Sequence, residues 1–192
     1  EVDAKYSNAE SQFLVMGNGA RVHYRDQGKQ DGVALVLVHG AMASLHTWEP
    51  WVESLGSRYR IITLDLPAHG LTGAVPSGEY GADAFTQTID AVVDKAGLDT
   101  FVLGGNSMGG GATWRYALEN PQRVSAMVLV DSVPPTSWQG NGEDSDTRRS
   151  GPVGFSLLRQ GWFRAIAGAL DPAPLIKQGL RAAYNDSPVV TE

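Results

Sequence analysis

Short apolar runs alternate with amphipathic stretches along most of this chain. Ala34-Leu-Val-Leu-Val38, Phe101-Val-Leu103 and Ala126-Met-Val-Leu-Val130 are continuous apolar runs, the pattern of strands buried on both faces of a parallel sheet. Residues 60–64 predict another strand. Between these strands the period changes to that of a helix. Trp48, Trp51, Val52 and Leu55 share one face of a segment running to about Ser57. Phe85, Ile89, Val92, Val93 and Ala96 do the same over residues 80–96, with Gly97 as the C-terminal stop. A third helix is predicted from Met108 to about Glu119, ending at Asn120-Pro121 because proline cannot continue it. Upstream, residues 13–16 and 20–25 predict two strands joined at Gly17-Asn18-Gly19, a hairpin signal. Residues 1–11 are polar and predicted irregular.

The order is therefore a β-hairpin followed by βαβαβαβ. It implies an α/β architecture: a mostly parallel sheet with an N-terminal antiparallel hairpin and helices on both faces. The pattern changes at Pro134. Residues 134–152 are polar, rich in Gly, Pro and Asp, and read as a linker. Two helical segments are expected after it. The first, residues 154–170, carries Phe155, Leu158, Trp162, Phe163 and Ile166, and the second opens at Asp171-Pro172, an N-cap and first-turn proline. The expected division is an α/β core over residues 1–133, then a linker and the start of a helical cap over 134–192. No strand pattern returns before Glu192.

Composition narrows the classes. The 192 residues are 42% hydrophobic and 19% charged, enough for one globular core. A net charge of −6 argues against a nucleic-acid partner. With no cysteine, disulfides, thiolate zinc sites and Cys nucleophiles are excluded. No apolar run approaches the roughly 18 residues that span a membrane. The sequence opens at Glu1 rather than Met, so a signal or anchor segment upstream would lie outside it.

Chemistry concentrates in one stretch, Phe101-Val-Leu-Gly-Gly-Asn-Ser107-Met-Gly-Gly-Gly-Ala112. Gly105-Asn106-Ser107-Met108-Gly109 fits G-x-S-x-G, with a predicted strand before it and a helix after it. A sharp strand-to-helix turn forces its apical serine into a strained conformation, and small flanking residues avoid clashes. The helix N-terminus behind it offers unpaired N–H groups and the positive end of a dipole to developing negative charge. A phosphate loop is the competing reading. It fails because Gly111-Ala112 stands where Lys-Ser/Thr is required, and the G-x-G-x-x-G spacing is missing.

These pieces resemble the α/β-hydrolase fold family: His39-Gly40 after the third strand, Asp65-Leu-Pro-Ala-His-Gly70 after the fourth, the Ser107 turn after the fifth, and Leu129-Val-Asp-Ser132 after the sixth. More narrowly, Arg21-Val-His-Tyr-Arg-Asp-Gln-Gly28 and Ser44-Leu-His-Thr-Trp48 are similar to a bacterial branch of hydrolases whose members often begin with a membrane-anchoring segment. The resemblance implies that Ser107 is the nucleophile. It also implies that the N–H groups of Met108 and Ala41 form the oxyanion hole, with Met42 the alternative second donor. It further implies a triad in the order Ser, acid, His, but the four histidines, 23, 39, 46 and 69, all precede Ser107. The expectation is thus an N-terminal portion of the fold, completed by a C-terminal segment carrying the base and the last strands.

His39 and His69 stand at strand ends near the catalytic face and are expected to be structural or pocket-lining. His23 and His46 are expected at the surface, and Asp65 is expected to order its own turn. Asp131 is a candidate triad acid; the alternative is that it supports the active-site floor. The aromatic set Trp138, Phe155, Trp162 and Phe163 lines an acyl or aryl pocket or packs cap against core. The resemblance implies a serine hydrolase acting on a small-molecule carboxylic ester with an apolar portion, without cofactor or metal. A C–C bond hydrolase, a cofactor-free peroxidase and a non-catalytic ligand-binding member are the alternatives. A periplasmic or membrane-anchored location is implied, with a cytoplasmic one the alternative.

Overall fold

A computed structural model describes residues 2–133 except 77, 79 and 81. The expected linker and cap, with Trp138, Phe155, Trp162 and Phe163, lie outside the described residues. The described chain opens with a short helix, α1 (Val2–Tyr6), and the hairpin strands β1 (Ser11–Val15) and β2 (Arg21–Gly28). Then follow β3 (Val33–Val38), a 3-10 turn (Leu45–Trp48), α2 (Glu49–Leu55), β4 (Tyr59–Leu64), α3 (Ala82–Lys95), β5 (Phe101–Asn106), α4 (Met108–Glu119) and β6 (Val124–Val130).

Among the described residues six strands form one sheet in the order β1-β2-β4-β3-β5-β6. β3 pairs in parallel with β4 and with β5, and β5 pairs in parallel with β6. The hairpin is antiparallel, and β2 joins β4 antiparallel. Successive β3 side chains serve opposite faces. Val36 and Val38 join Ile62, Leu64, Leu103 and the α3 residues Ile89, Val92 and Val93 in one core cluster, which Ala112 and Tyr116 of α4 complete. Leu35 and Leu37 join Ile61 and Trp48 in the other, against which Trp51, Val52 and Leu55 pack. Both faces of β3 and β4 are covered in this way, whereas β6, whose apolar run predicts the same, is largely exposed, with Met127 at 48% and Leu129 at 46%.

Two expectations are corrected. Residues 1–11 are not irregular throughout, because Val2–Tyr6 is helical. This helix buries no residue and is tied down by Asp3, which accepts from Arg21 across 2.8 Å. It has no apolar face for periodicity to reveal. The single helix expected to about Ser57 is instead a 3-10 turn followed by α2, with Pro50 in the first turn of α2. Proline has no N–H to donate back into the preceding turn, so it fits the first turn of a new α-helix, where that N–H would have no partner.

Candidate active site

Ser107 links the last residue of β5 to the first of α4, with φ 50° and ψ −114°. This is the left-handed half of conformational space, costly for a residue with a Cβ. The surroundings enforce it. The Ser107 N–H donates to the Val130 carbonyl (3.0 Å), and its own carbonyl accepts from Gly111 N–H (3.1 Å) and Val133 N–H (3.1 Å). Asn106 Nδ2 donates to the same Val130 carbonyl (3.1 Å). A Cβ on Gly105 would run into the Gly109 carbonyl and Thr113 Oγ1, and one on Gly109 into the carbonyls of Val38 and His39. Glycine at both places lets α4 sit directly on the ends of β3 and β5. Ser107 does not spend its hydroxyl on capping α4.

The loop after β3 lies against this turn. The space where a Gly40 side chain would begin is filled by Asn106 and by the Ser107 Cβ. Ala41 therefore follows a residue in contact with Ser107. Among the described residues the N–H groups of Ala41 and Met42 donate to no other backbone group. Met108, as the first residue of α4, contributes an N–H that has no acceptor within the helix. The loop is tightly held: Met42 is at φ 58° while its side chain is 65% exposed.

Two buried groups fasten that loop to the loop after β4. His39 is fully buried. Its Nδ1–H donates to the Gly40 carbonyl (2.7 Å), and its Nε2 accepts from Leu66 N–H (3.0 Å). Burial is the main force pushing its pKa below the ordinary value, with the nearby His69 acting the same way against the Gly40 bond and Asp65. His39 is thus a neutral bridge with both nitrogens engaged, as a structural reading expects. Asp65 Oδ1 accepts from Leu45 N–H (2.7 Å), and Oδ2 from Leu71 N–H (2.8 Å) and His23 Nδ1 (2.8 Å). Burial raises its pKa, but the His23, Leu45 and Leu71 bonds outweigh that, and the carboxyl titrates below its usual range. Asp65 orders its own turn as expected, and the loop after β3 as well. Gly70 (φ 50°) allows this, since a Cβ there would overlap the carboxylate.

His23 is not at the surface. It is 0% exposed, bonded to Asp65 and, through Nε2, to Ser11 Oγ (2.9 Å). Residues 22–25 of β2 are buried on both faces, and Asp65 and Ser11 supply the polar partners that burial demands. Sequence reasoning missed this pair. The available signal was the alternation Val22-His23-Tyr24-Arg25, in which both polar members are buried. His46 is partly exposed and bonded to Glu49 (2.7 Å). His69 Nδ1 bonds the Pro67 carbonyl (2.9 Å).

Asp131 follows β6 directly, at φ 46°. It is exposed, and its carboxylate has no hydrogen bond among the described residues. The site therefore brings together Ser107, the Gly40–Met42 loop and the Met108 N–H. None of the four histidines bonds Ser107. Among the described residues no cluster of three or more metal-ligating side chains forms.

A sequence model described as the α/β-hydrolase fold matches residues 33–159. The chain is 37% identical to N-formylmaleamate deformylase of Pseudomonas putida over 126 residues, which are 66% of this chain and 46% of that protein. It is 34% identical to a non-heme chloroperoxidase of Streptomyces lividans over 158 residues, covering 81% of this chain and 54% of that one. Among solved structures, the esterase RhEst1 from Rhodococcus sp. matches with a TM-score of 0.60 and 30% identity, covering 65% of this chain and 46% of the esterase. The chain spans about half the length of the curated relatives it matches.

Proposed function

The chain belongs to the α/β-hydrolase fold family, and on that premise we propose that Ser107 is the nucleophile of a hydrolase acting on a small carboxylic ester with an apolar acyl or aryl portion. One observation carries the reading: a serine held at φ 50° between β5 and α4, its hydroxyl not used to cap the helix. Strain of this kind persists only where the surroundings over-determine it, and it concentrates at functional sites.

In this reading the Ser107 Oγ attacks the ester carbonyl carbon. The carbonyl oxygen becomes an oxyanion that accepts from the N–H groups of Met108 and Ala41, with Met42 the alternative to Ala41. Each such donor is worth about 3 kcal/mol of transition-state stabilisation. A base takes the Ser107 proton and returns it to the leaving alcohol. Water then hydrolyses the acyl-enzyme, and the proton path reverses. The four histidines of this sequence are hydrogen-bonded to groups other than Ser107, and this reading assigns the base to none of them. The 30% identity to an esterase structure supports the choice of ester.

The test is a substrate panel on the whole protein and its Ser107→Ala variant. Turnover of p-nitrophenyl esters by the wild type, lost in Ser107→Ala, is expected. Preference for a vinylogous diketone would move the reading to a C–C hydrolase. Halide oxidation by peroxide would favour the chemistry of the chloroperoxidase relative, and binding without any turnover a non-catalytic member.

A further inference from the structure

We propose that His23 is a positioning residue for the oxyanion loop, acting on it through Asp65. The proposal rests on the reading of Ser107 and Ala41 given above and assigns a role to a residue that touches neither.

The loop from His39 to Leu45 is stapled at both ends. At its start the His39 ring joins the Gly40 carbonyl to Leu66 N–H. At its end Asp65 Oδ1 holds Leu45 N–H, while Oδ2 holds Leu71 N–H. Ala41 and Met42 lie between the staples, and Met42 is kept at φ 58°. A strained residue relaxes when either anchor gives, and the neighbouring N–H groups move with it.

His23 fixes the second anchor. A carboxylate only accepts, so His23 Nδ1 must carry the proton that bonds Asp65 Oδ2 at 2.8 Å. Nε2 lies 2.9 Å from Ser11 Oγ, a bond that holds the ring from the far side. The backbone closes the same network. Asp65 N–H donates to the His23 carbonyl (2.9 Å), His23 N–H donates to Thr72 Oγ1 (2.9 Å), and Thr72 O–H donates to the Asp65 carbonyl (2.8 Å). The His23 and Asp65 side chains are 0% and 1% exposed. With both side chains withdrawn from bulk solvent, loss of one of the three donors is answered by rotation of the carboxylate itself. That rotation loosens Leu45 and Leu71.

The experiment compares His23→Phe, His23→Gln and His23→Asn in the whole protein. Asn places an amide N–H near the Nδ1 position and can still donate to Asp65. Gln reaches the Nε2 position, toward Ser11, and cannot. Active sites are first titrated with a fluorophosphonate, so that kcat is expressed per competent Ser107. The expected result is a kcat per titrated site reduced about tenfold or more in His23→Phe and His23→Gln, the scale on which small misplacements act. KM stays within about twofold, and His23→Asn returns to within about threefold of wild type. Amide exchange over residues 39–45 accelerates in the first two variants and not in the third. A purely architectural His23 would lower the number of titrated sites or the melting temperature while leaving kcat per site unchanged, and that result overturns the proposal. If His23→Phe fails to fold, the contrast between Gln and Asn decides alone. Failure of the wild type to label at Ser107 overturns the underlying reading instead and is seen before any variant is measured.

Discussion

The backbone N–H of Ser107 donates to the carbonyl of Val130 across 3.0 Å. The apex of the β5–α4 turn is thereby tied to the last residue of the neighbouring strand. The same carbonyl also takes Asn106 Nδ2, and Val133 N–H returns a bond to the Ser107 carbonyl. The segment after β6 is thus part of the support for the strained serine. Its backbone makes these contacts, whereas the Asp131 carboxylate makes none among the described residues.

Asp131→Asn should accordingly cost little. Asn accepts the φ of 46° that Asp131 adopts about as readily as Asp. Activity within about tenfold of wild type is expected, with the fold intact by circular dichroism. Amide replacement of a true triad acid has cost about 10⁴-fold in a well-studied protease. A loss of that size here would place Asp131 in the triad.

Gly109→Ala tests how closely α4 rests on the sheet. The added Cβ meets the backbone carbonyls of Val38 and His39, which cannot swing aside as a side chain would. Overpacking of this kind costs about 1–3 kcal/mol, and a urea midpoint lowered by at least that equivalent is expected. Gly17→Ala is the control, because nothing lies within 4 Å of a Cβ there. Equal stability of the two variants would contradict the packing described.

His39 predicts a pH dependence of stability. Its folded pKa lies below the ordinary 6.5, so the unfolded chain binds the proton more readily than the native one. The sign follows from linkage: this stabilisation is complete above about pH 6.5 and is lost as pH falls from there toward the folded pKa. His39→Gln removes the titration. Its chemical-denaturation stability should change less than that of the wild type between pH 7.5 and 5.5, a span flanking the ordinary His value. Parallel slopes in the two proteins would contradict a buried neutral His39. Asp65 adds a second loss at lower pH. Its pKa is depressed, so its contribution is present above the ordinary carboxylate range and disappears as pH drops through the folded value.

The parts of this molecule readable from sequence are those whose cause is local. β3 and the start of β5 announced themselves because residues 34–38 are buried and 101–103 buried or half-buried, so these positions are apolar. α3 did so because Phe85, Ile89, Val92, Val93 and Ala96 recur at helical spacing on one buried face. The Ser107 turn was legible through Gly105 and Gly109, whose missing side chains the backbone requires. What stayed hidden depends on distant partners. His23 and Asp65 are separated by 42 positions, and the alternation Val22-His23-Tyr24-Arg25 does not reveal the partner that makes the burial of His23 tolerable. α1 escaped notice because its anchor is Arg21, 18 positions on, and not an apolar stripe. The exposure of Met42 at φ 58° became intelligible only once both staples on its loop were seen.

The central claim is that the Ser107 hydroxyl is the reactive nucleophile. Treating the whole protein with a fluorophosphonate and mapping the adduct by peptide mass spectrometry tests it most directly. The account predicts a single adduct on the peptide containing Ser107, absent in Ser107→Ala and accompanied by loss of ester turnover. Unmodified Ser107 in an active preparation, or undiminished ester turnover by Ser107→Ala, would contradict it.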